Sequence, residues 1–533
     1  MFVQNREMAD LLKDFYLPFG GKLNATNRWV QLAALIPWDR VEEKYVKSLQ
    51  SLHIGQKAYT ARIALGSLII KERLGLSDRE TTLQIQENPY LQFFLGYTAY
   101  VDEEPFHHSL LTHFRGRFGA EIITEVNDWI AQAALEAERE AQAVREASKK
   151  NRDDDDDNDT GGSQLTMELG EALSVPVEPP NVSKKGRSAT KKFRVLLSEE
   201  MAATPPANVT NKGTLMLDAT CAPADIKYPT DLGLLNHARE ILEGIIDVLH
   251  APLVGEREKP RTYREEARKA FLTVSKQRKS SGKVIRRAIK RQLGYVGRDL
   301  RIIEKLMEHT PLTVLSKRHY RQLLIISELY RQQREMADQK KHAIADRIVS
   351  IEQPHVRPIV RGKAGASVEF GAKIAASLID GYVWIESMQW DSFNEATTLQ
   401  ASVEAYKRRF GYYPTVIQAD KIYRNRDNLS YCKEHGIRLS GPKLGRPSKE
   451  QNEARNRKQE RQDAAERNAI EGKFGEGKRK LGLARIRSRG AQTSLTVIAL
   501  QFLVMNLERR LRVLFLPFFG LLPFVTVRQV KVA

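Results

Sequence analysis

The sequence predicts an α/β protein in which a mixed β-sheet with flanking helices is interrupted by a helical insertion and preceded by an all-α domain. Three observations predict this class. Apolar residues recur at helical spacing through most of residues 25–145. Apolar runs with strand character follow at Thr214–Asp218, Val368–Leu378, Tyr382–Met388 and Thr415–Ala419. Between the first and second of these runs the pattern is helical and strongly cationic.

The composition indicates a multidomain protein with a polyanionic partner. A chain of 533 residues is long enough for about two to four domains. Lys and Arg total 85 against 66 Asp and Glu, which gives a formal net charge of +19. DNA or RNA is the simplest partner for such a charge, and an anionic membrane surface is the rival.

Membrane insertion and secretion are not expected. The longest apolar run, Val513–Val527, has about 15 residues and contains Pro517 and Pro523, whereas a spanning helix needs about 20 residues. The first residues contain no basic segment followed by an apolar one, so no secretory signal is expected. Cys221 and Cys432 have no paired spacing, which is typical of a reducing, cytoplasmic location.

The N-terminal region contains two helices joined by a tight turn. Apolar residues at helical spacing predict a helix over Ala61–Leu74, and Gly75 should end it. The pattern Ser77-x-x-Glu80 is a capping box that opens the next helix. A helix-turn-helix that contacts DNA and an ordinary pair within a helical bundle both fit this pattern.

An acidic, low-complexity stretch follows these helices. The run Asn151–Asp157 contains five consecutive aspartates and continues as a polar, Pro-containing segment to about Arg194. Such a segment cannot bury enough apolar surface to order itself. The sequence therefore predicts a disordered linker over residues 146–205.

The helical insertion begins after the strand that Asp218 closes. Residues 257–291 carry 14 Lys or Arg against three Asp or Glu, an excess that favours contact with a nucleic-acid backbone. The predicted DNA contacts within this stretch are Arg286, Arg287, Lys290 and Arg291.

Strand character returns with a hairpin. The dipeptide Asp380-Gly381 between two apolar runs predicts a type I′ turn. The pattern Ser392-x-x-Glu395 predicts a capping box before a further helix. A short strand then ends in Asp420, and a charged helix from about Ser448 runs to Glu471.

Three acidic residues in this basic chain suggest a nuclease-type centre. Asp218 and Asp420 each close a short buried strand, and Glu471 lies in the charged helix. Carboxylates from separate elements supply hard oxygen ligands for Mg²⁺, and nearby Lys and Arg can bind a phosphodiester. Asp225 competes with Asp218 and Asp427 with Asp420, but neither follows an apolar strand directly.

The spacing around Glu471 resembles the DDE transposases of bacterial insertion sequences. Arg467-x3-Glu471-x6-Lys478 matches the R-x3-E-x6-K part of their signature. The family usually has Tyr three residues before the Arg, where this chain has Ala464, so that role is absent or supplied elsewhere, with Tyr423 as a candidate. Lys421, next to Asp420, is a further candidate phosphate contact.

This resemblance implies an RNase-H-like catalytic domain with a helical insertion between the first two acids. It implies that Asp218, Asp420 and Glu471 are the catalytic residues and bind two Mg²⁺ ions, with Mn²⁺ as a substitute. Arg467, Lys478 and Lys421 would contact DNA. The implied activity is metal-dependent cleavage and strand transfer at the ends of an insertion sequence. The partners would be double-stranded DNA and further copies of the chain, as a homodimer or a larger synaptic assembly at the bacterial nucleoid.

The predicted domain boundaries follow from these elements. They are a DNA-binding helical domain at 1–145, the linker at 146–205, the first catalytic part at 206–239, the basic insertion at 240–350, the second catalytic part at 351–510 and a hydrophobic tail at 511–533. A catalytically inactive DNA-binding regulator and another RNase-H-like nuclease are the alternative functions.

Overall fold

The computed structural model describes residues 17, 21–49, 58–153, 210–360, 368–442 and 453–520. Most of the linker predicted at 146–205 and the end of the hydrophobic tail lie outside these ranges. The described N-terminal helices are α1 (Arg28–Leu35), α2 (Trp38–Ser48), α3 (Ala61–Leu74), α4 (Asp78–Glu87), α5 (Pro89–Phe94) and α6 (Leu110–Asp153), which is interrupted at Gly119.

The predicted α3-turn-α4 unit is confirmed as a structure. Gly75 ends α3 in the left-handed region with φ of 68°, and the Ser77 hydroxyl accepts a hydrogen bond from the Glu80 amide at 3.1 Å. Asp78, in the first turn of α4, receives two hydrogen bonds from Arg115 of α6, at 2.7 and 3.0 Å. The unit is thereby fixed within a helical bundle, and acidic residues outnumber basic ones on α4. This charge does not favour insertion of α4 into a major groove.

The central sheet contains β1 (Thr214–Pro223), β2 (Arg357–Val360), β3 (Val368–Ile379), β4 (Tyr382–Gln389), β5 (Val416–Gln418) and β6 (Arg438–Leu439). Strand β3 pairs antiparallel with β1 on one side and with β4 and β2 on the other. Strands β5 and β6 extend the sheet beyond β1 in parallel. The order across the sheet is therefore β4-β3-β1-β5-β6, with β2 beside the start of β3.

The hairpin prediction is confirmed. Asp380 and Gly381 have φ of 49° and 88°, as a type I′ turn requires at both central positions. They connect β3 directly to β4, which gives the sheet three consecutive antiparallel neighbours.

Strand β1 is longer than predicted, so Asp218 lies in its middle and not at its end. After Asp218 the residues Ala219–Pro223 continue to pair with β3, in a register that sets Ala222 opposite Ala372. Gly371 permits this pairing, because a Cβ there would lie 2.1 Å from the Ala222 carbonyl oxygen. The small side chains after Asp218 allow β1 and β3 to pair closely. The apolar pattern of the sequence did not indicate this extension of β1.

Helices α7 (Asp231–His250), α8 (Arg264–Ser275), α9 (Gly282–Met307) and α10 (Lys317–Gln339) stand between β1 and β2. They share an apolar core of their own, to which Leu242, Val296 and Ile326 contribute. The boundary predicted at residue 240 falls inside α7, because one apolar face of α7 runs unbroken from Leu234 to Leu249 against this core.

Helices cover both faces of the sheet. Helices α11 (Leu399–Phe410) and α12 (Arg426–Glu434) lie on one face, where Leu217, Ile417 and Trp384 are buried. Helices α13 (Glu453–Lys480) and α14 (Ala491–Gly520) lie on the other. The boundaries predicted at 145 and 510 fall inside α6 and α14, which pack extensively on each other. No helix in the described ranges has the length and apolar character needed to cross a bilayer.

A buried polar network joins α14 to the sheet edge. Asn506 is fully buried, and its side chain accepts a hydrogen bond from the Val383 amide at 2.9 Å and donates one to the Val383 carbonyl at 2.8 Å. Its amide also donates to Asn127 of α6 at 2.8 Å. The Asn506 side chain therefore occupies the position that a further strand would take beside β4.

Replacing Asn506 with alanine should lower the free energy of unfolding by about 2–3 kcal/mol. The substitution leaves the Val383 amide buried without a partner, and such a loss costs about 1–3 kcal/mol per group. Urea unfolding monitored by circular dichroism would measure the change. Asn468→Ala, at an exposed position of α13, is the matched control and should leave the midpoint nearly unchanged. Equal midpoints for the two variants would contradict the importance of this network.

Candidate active site

The structure brings Asp218 and Asp420 to the same level of the sheet. Met216 of β1 pairs in parallel with Gln418, the last residue of β5. Asp218 lies two residues further along β1, and Asp420 lies two residues past the end of β5. Because side chains alternate along β1, Asp218 emerges on the face that α13 covers. The Asp218 side chain accepts a hydrogen bond from the Ala219 amide at 2.8 Å, and Asp420 accepts one from the Lys421 amide at 2.7 Å.

Helix α13 crosses the parallel part of the sheet and contacts each strand in turn through one face. Asp463 receives two hydrogen bonds from Arg438 of β6, at 2.6 and 2.9 Å. Glu466 accepts one from Gln418 of β5 at 2.6 Å. One turn later, Ile470 and Phe474 enter the core. The spacing of three and four residues keeps all these side chains on the same side of the helix.

Arg467 lies between the first and third predicted acids. Its Nη1 is 3.9 Å from Oδ2 of Asp218, and its Nη2 is 3.5 Å from Oε1 of Glu471. The guanidinium therefore joins the acid on β1 to the acid on α13. Asp420 and Glu471 are exposed, while Asp218 is half-buried, so the acidic group opens to solvent along one side.

The helix that carries Glu471 continues past two glycines. It runs through Gly472 and Gly475 to Lys480. The packing of Phe474 into the core compensates for the low helix propensity of glycine here. Lys478 consequently lies two turns beyond Glu471 on the same helix and is half-buried.

Burial controls the charge of Asp218. Loss of solvent around this carboxyl raises its pKa to about 6, against the opposing effects of the Ala219 amide and the Arg467 guanidinium. The nearby carboxylates of Glu395 and Glu471 raise the pKa further. A cation bound beside a half-buried acid with acidic neighbours would stabilise the ionised form of these carboxylates.

The donor set fits a hard divalent cation chemically. Carboxylate oxygens are the ligands that Mg²⁺ takes from proteins. Among the described residues, however, no three His, Cys, Asp or Glu side chains lie close enough to hold one metal ion between them. Arg467 lies between Asp218 and Glu471 in this arrangement, so the exposed Glu471 side chain would have to turn for both acids to bind one ion.

The competing acids lie elsewhere. Asp225 forms an ion pair with Arg485 at 2.7 Å, beyond the end of β1. Asp427 is exposed in the first turn of α12. Lys421 is exposed beside Asp420 and is open to a phosphate. Tyr423 is 1% exposed, so it lies under the site and cannot take the place of a tyrosine on the DNA side.

One acidic residue of this group was missed by the sequence prediction. Glu395 was read as part of a capping box with Ser392, but Asn394 caps the turn instead, by accepting a hydrogen bond from the Ala396 amide at 3.1 Å. The Glu395 carboxylate forms an ion pair with Lys373 of β3 at 3.0 Å. A lysine within the apolar run of β3 was the signal that an acidic partner lies nearby.

The predicted cationic residues of the insertion form a separate surface. Arg286, Arg287, Lys290 and Arg291 are exposed on the first half of α9. This helix packs against α7, α8 and α10. The structure thus joins Asp218, Arg467 and Glu471 by direct contacts, sets Asp420 and Lys421 just past the neighbouring strand β5, and places the α9 cations on another unit.

Comparisons with known proteins agree with the resemblance at both ends of the chain. A family model described as a transposase DDE domain matches residues 417–508, a range that contains Asp420, Arg467, Glu471 and Lys478. A second model, described as a transposase domain of the DUF772 type, matches residues 18–117, which include α1 to α5. Asp218 lies outside both matches.

A curated relative gives a partial match. The uncharacterized protein ORF8 in the nfe locus of Rhizobium meliloti is 32% identical over 114 residues, which cover 21% of this chain and 54% of that protein. The chain therefore spans about half the length of this relative. No solved structure matches the chain. Both family models describe transposase domains, and one includes the second acid and the Arg-Glu-Lys frame, so these matches support a DDE transposase of an insertion sequence.

Proposed function

We propose that this protein binds the ends of an insertion sequence, cleaves DNA there and joins the released ends to target DNA. The observation that carries the proposal is that Asp218 and Asp420 lie at the same level of two adjacent parallel strands and that Arg467 joins Asp218 to Glu471 of α13. Three acids from distant parts of the chain would not strengthen DNA binding by themselves, because carboxylates repel phosphate. Their grouping in a chain of net charge +19 favours phosphodiester chemistry.

The catalytic unit is proposed to be RNase-H-like. The order β4-β3-β1-β5-β6, with three antiparallel strands followed by two parallel ones, supports this assignment. Helices α7 to α10 would then be an insertion between the first and second acids.

Asp218, Asp420 and Glu471 would hold Mg²⁺, two ions per site. When bound, the metal would activate the attacking oxygen and stabilise the leaving one. Arg467 would turn from the acids to the scissile phosphate, where its planar guanidinium can donate two hydrogen bonds. Lys478 and Lys421 would add positive charge on either side.

The two reactions use the same groups. In the first, a water oxygen bonds to phosphorus, the bond to the 3′ oxygen breaks, and that oxygen leaves as a 3′-OH. In the second, the new 3′ oxygen attacks a target phosphate, and the target strand releases its own 3′-OH. No covalent protein intermediate is required, so no nucleophilic Ser or Tyr is needed.

The exposed cations of α9 are proposed to bind the DNA backbone outside the catalytic centre. Replacing Arg286, Arg287, Lys290 and Arg291 together by alanine should reduce the salt dependence of DNA binding. Each lost phosphate contact lowers the slope of log K against log salt by about 0.9, so a decrease of about 3 to 4 is expected. Fluorescence anisotropy at several salt concentrations would measure it.

The double variant Arg331→Ala, Arg334→Ala on α10 is the control for this surface. Both arginines already form ion pairs within their helix, with Glu328, Glu335 and Asp338. Their removal should leave the slope unchanged. A slope unaffected by the fourfold α9 variant would mean that DNA does not contact this helix.

The test of function uses labelled DNA carrying the ends of the element, with and without Mg²⁺, and an unlabelled plasmid as target. Metal-dependent nicking followed by transfer of label to the plasmid is the result expected. Cleavage without transfer would favour another RNase-H-like nuclease. Binding without cleavage would favour a catalytically inactive regulator. We propose that the active form is a homodimer or larger synaptic assembly that works on the bacterial nucleoid in the cytoplasm.

A further inference from the structure

A cleft separates the end of β1 from the helical insertion. Its volume is about 1080 Å³, and it is lined by the segment that follows β1, by α7, by the connection between α8 and α9 and by the residues that precede α14. Leu232, Val349 and Ile351 are buried and give the cleft an apolar floor. None of the residues proposed for catalysis lines it.

The residues that precede α14 are fixed at both ends. Ile486 forms a parallel bridge with Ala224, just past the end of β1. The Ser488 carbonyl accepts a hydrogen bond from the Ser494 hydroxyl, in the first turn of α14, at 2.8 Å. Arg489 follows directly and is exposed at the cleft. The main chain that carries this arginine is therefore held in place by contacts within the protein.

Three exposed cations line the cleft from three separate elements. Lys227 follows β1, Arg278 lies between α8 and α9, and Arg489 precedes α14. None of the three side chains forms an ion pair within the ranges that the structure describes. All three remain available to an anionic ligand.

The acidic residues that line the cleft already have partners. These pairs are Asp225 with Arg485 at 2.7 Å, Glu240 with Arg239 at 3.4 Å and Glu352 with Arg318 at 3.3 Å. The charge that the cleft offers to a ligand is therefore positive. A phosphate backbone is the macromolecular partner that such a charge complements.

An exposed tyrosine stands among these cations. Tyr228 is 72% exposed, and its ring packs edge-to-face on Phe370 with the centroids 5.6 Å apart and the planes at 88°. Tyrosine hydroxyls, like lysine and arginine side chains, supply hydrogen bonds to DNA phosphates. The side chains of this cleft therefore fit a nucleic-acid backbone better than a small apolar ligand.

The cleft also lies between the two regions already proposed to contact DNA. At one end, Ala224 is six residues beyond Asp218, and the rise of about 3.3 Å per residue places it about 20 Å away. At the other end, Ile285 lines the cleft and directly precedes Arg286 and Arg287 on α9. The cleft thus connects the strand of the first predicted acid to the cationic surface of α9.

We propose that double-stranded DNA of the element's end lies across the mouth of this cleft, and that Lys227, Arg278 and Arg489 bind its phosphates about six base pairs from the cleaved bond. The position follows from the separation of about 20 Å along β1, because successive base pairs are about 3.4 Å apart. The inference rests on the proposed function and extends it with a DNA path from the catalytic centre to α9. These contacts position the DNA without reading its sequence.

The double variant Lys227→Ala, Arg489→Ala tests the path by DNA binding in the absence of Mg²⁺. Loss of two phosphate contacts should lower the slope of log K against log salt by about 2, at about 0.9 per contact. Fluorescence anisotropy with a labelled duplex of the element's end would measure the slope. The control Arg408→Ala, Lys433→Ala removes two exposed cations from α11 and α12, which lie on the sheet face opposite α13, and should keep the wild-type slope.

A conservative variant separates charge from folding. Lys227→Arg, Arg489→Lys keeps both charges at the cleft and should retain most of the wild-type slope. Loss of the slope in this variant as well as in the alanine variant would overturn the assignment of the effect to phosphate contacts.

A neutral phosphate in the DNA locates the contact. A single methylphosphonate can be placed at each position in turn, on both strands and on both sides of the cleavage site. About six base pairs from that site it should weaken binding by the wild type. It should not weaken binding by Lys227→Ala, Arg489→Ala further, because the two changes remove the same contact.

The outcomes distinguish the inference from the proposed function. If the fourfold α9 variant lowers the salt slope while Lys227→Ala, Arg489→Ala keeps it, the DNA path is wrong and the proposed function stands. Interference by methylphosphonates only at other positions would also overturn the path. If the wild type does not bind the element's end at all, the proposed function fails, and the inference fails with it.

Discussion

Replacing Asp218 with asparagine should lower the rate of metal-dependent DNA cleavage by about 1000-fold while DNA binding is retained. Removal of one group that stabilises charge in a transition state costs about 100- to 1000-fold, and Asp218 is expected at the upper end because it is the least exposed of the three predicted acids. Single-turnover cleavage of labelled element ends would measure the rate. Anisotropy with the same DNA would measure binding.

The substitution should not impair folding. The Asp218 carboxyl is half-buried, and burial raises its pKa to about 6, so the neutral amide removes a desolvation cost. Asp225→Asn is the control, because Asp225 forms its ion pair with Arg485 near the surface, and such pairs contribute little to stability. If Asp218→Asn cut at the wild-type rate while Asp225→Asn did not, Asp225 would be the first acid.

Replacing Arg467 with methionine should slow cleavage by about 100-fold and shift its dependence on pH. The loss in rate is expected because a bidentate, charged donor to the scissile phosphate would be removed. The shift is expected because the Arg467 guanidinium lowers the pKa of Asp218. A log-rate profile between pH 5 and 8 would report both effects.

The direction of the shift follows from which form of Asp218 is active. Only the ionised carboxylate can bind a cation, so cleavage should fall as the pH drops below the pKa of Asp218, which is about 6. Without Arg467 that pKa rises, and the acid limb of the profile should move to higher pH. Arg461→Met, at an exposed position of the same helix, should leave the limb in place. A shift to lower pH in Arg467→Met would exclude the contact described here.

Local patterns predicted the local structure well. The helix Ala61–Leu74, its glycine cap and the capping box at Ser77 all form as expected, because each depends on residues a few positions apart. The hairpin at Asp380-Gly381 forms for the same reason. The length of β1 was missed because pairing with β3, about 150 residues away, sets it, and no pattern within β1 records that partner.

Part of the candidate site could be located from the sequence and part could not. Asp218, Asp420 and Glu471 were predicted from strand ends and from the spacing of Arg467 and Lys478. The structure sets Asp218 and Asp420 at the same level of two parallel strands and Glu471 beside the guanidinium that contacts Asp218. Their catalytic role stays a prediction. Arg467 bridges two acids because of the way in which α13 crosses the sheet. The sequence of α13 is highly polar and shows no distinct apolar face, so it does not indicate this crossing.

Glu395 shows how a local pattern can mislead. Ser392-x-x-Glu395 matches a capping box, yet Asn394 directly precedes the turn and caps it instead. The Glu395 side chain is then left to pair with Lys373, which is distant in sequence and adjacent only in the folded sheet. Such a choice between two capping residues is decided by tertiary contacts.

The central claim is that acids from β1, β5 and α13 form one metal site, and iron-directed backbone cleavage tests it most directly. Fe²⁺ substituted for Mg²⁺ generates hydroxyl radicals that cut the chain next to its ligands, and the fragments can be mapped by mass spectrometry. We predict cuts beside residues 218, 420 and 471 that excess Mg²⁺ suppresses and that Asp218→Asn abolishes together. Cuts elsewhere, or cuts beside residues 420 and 471 that persist in Asp218→Asn, would contradict the account.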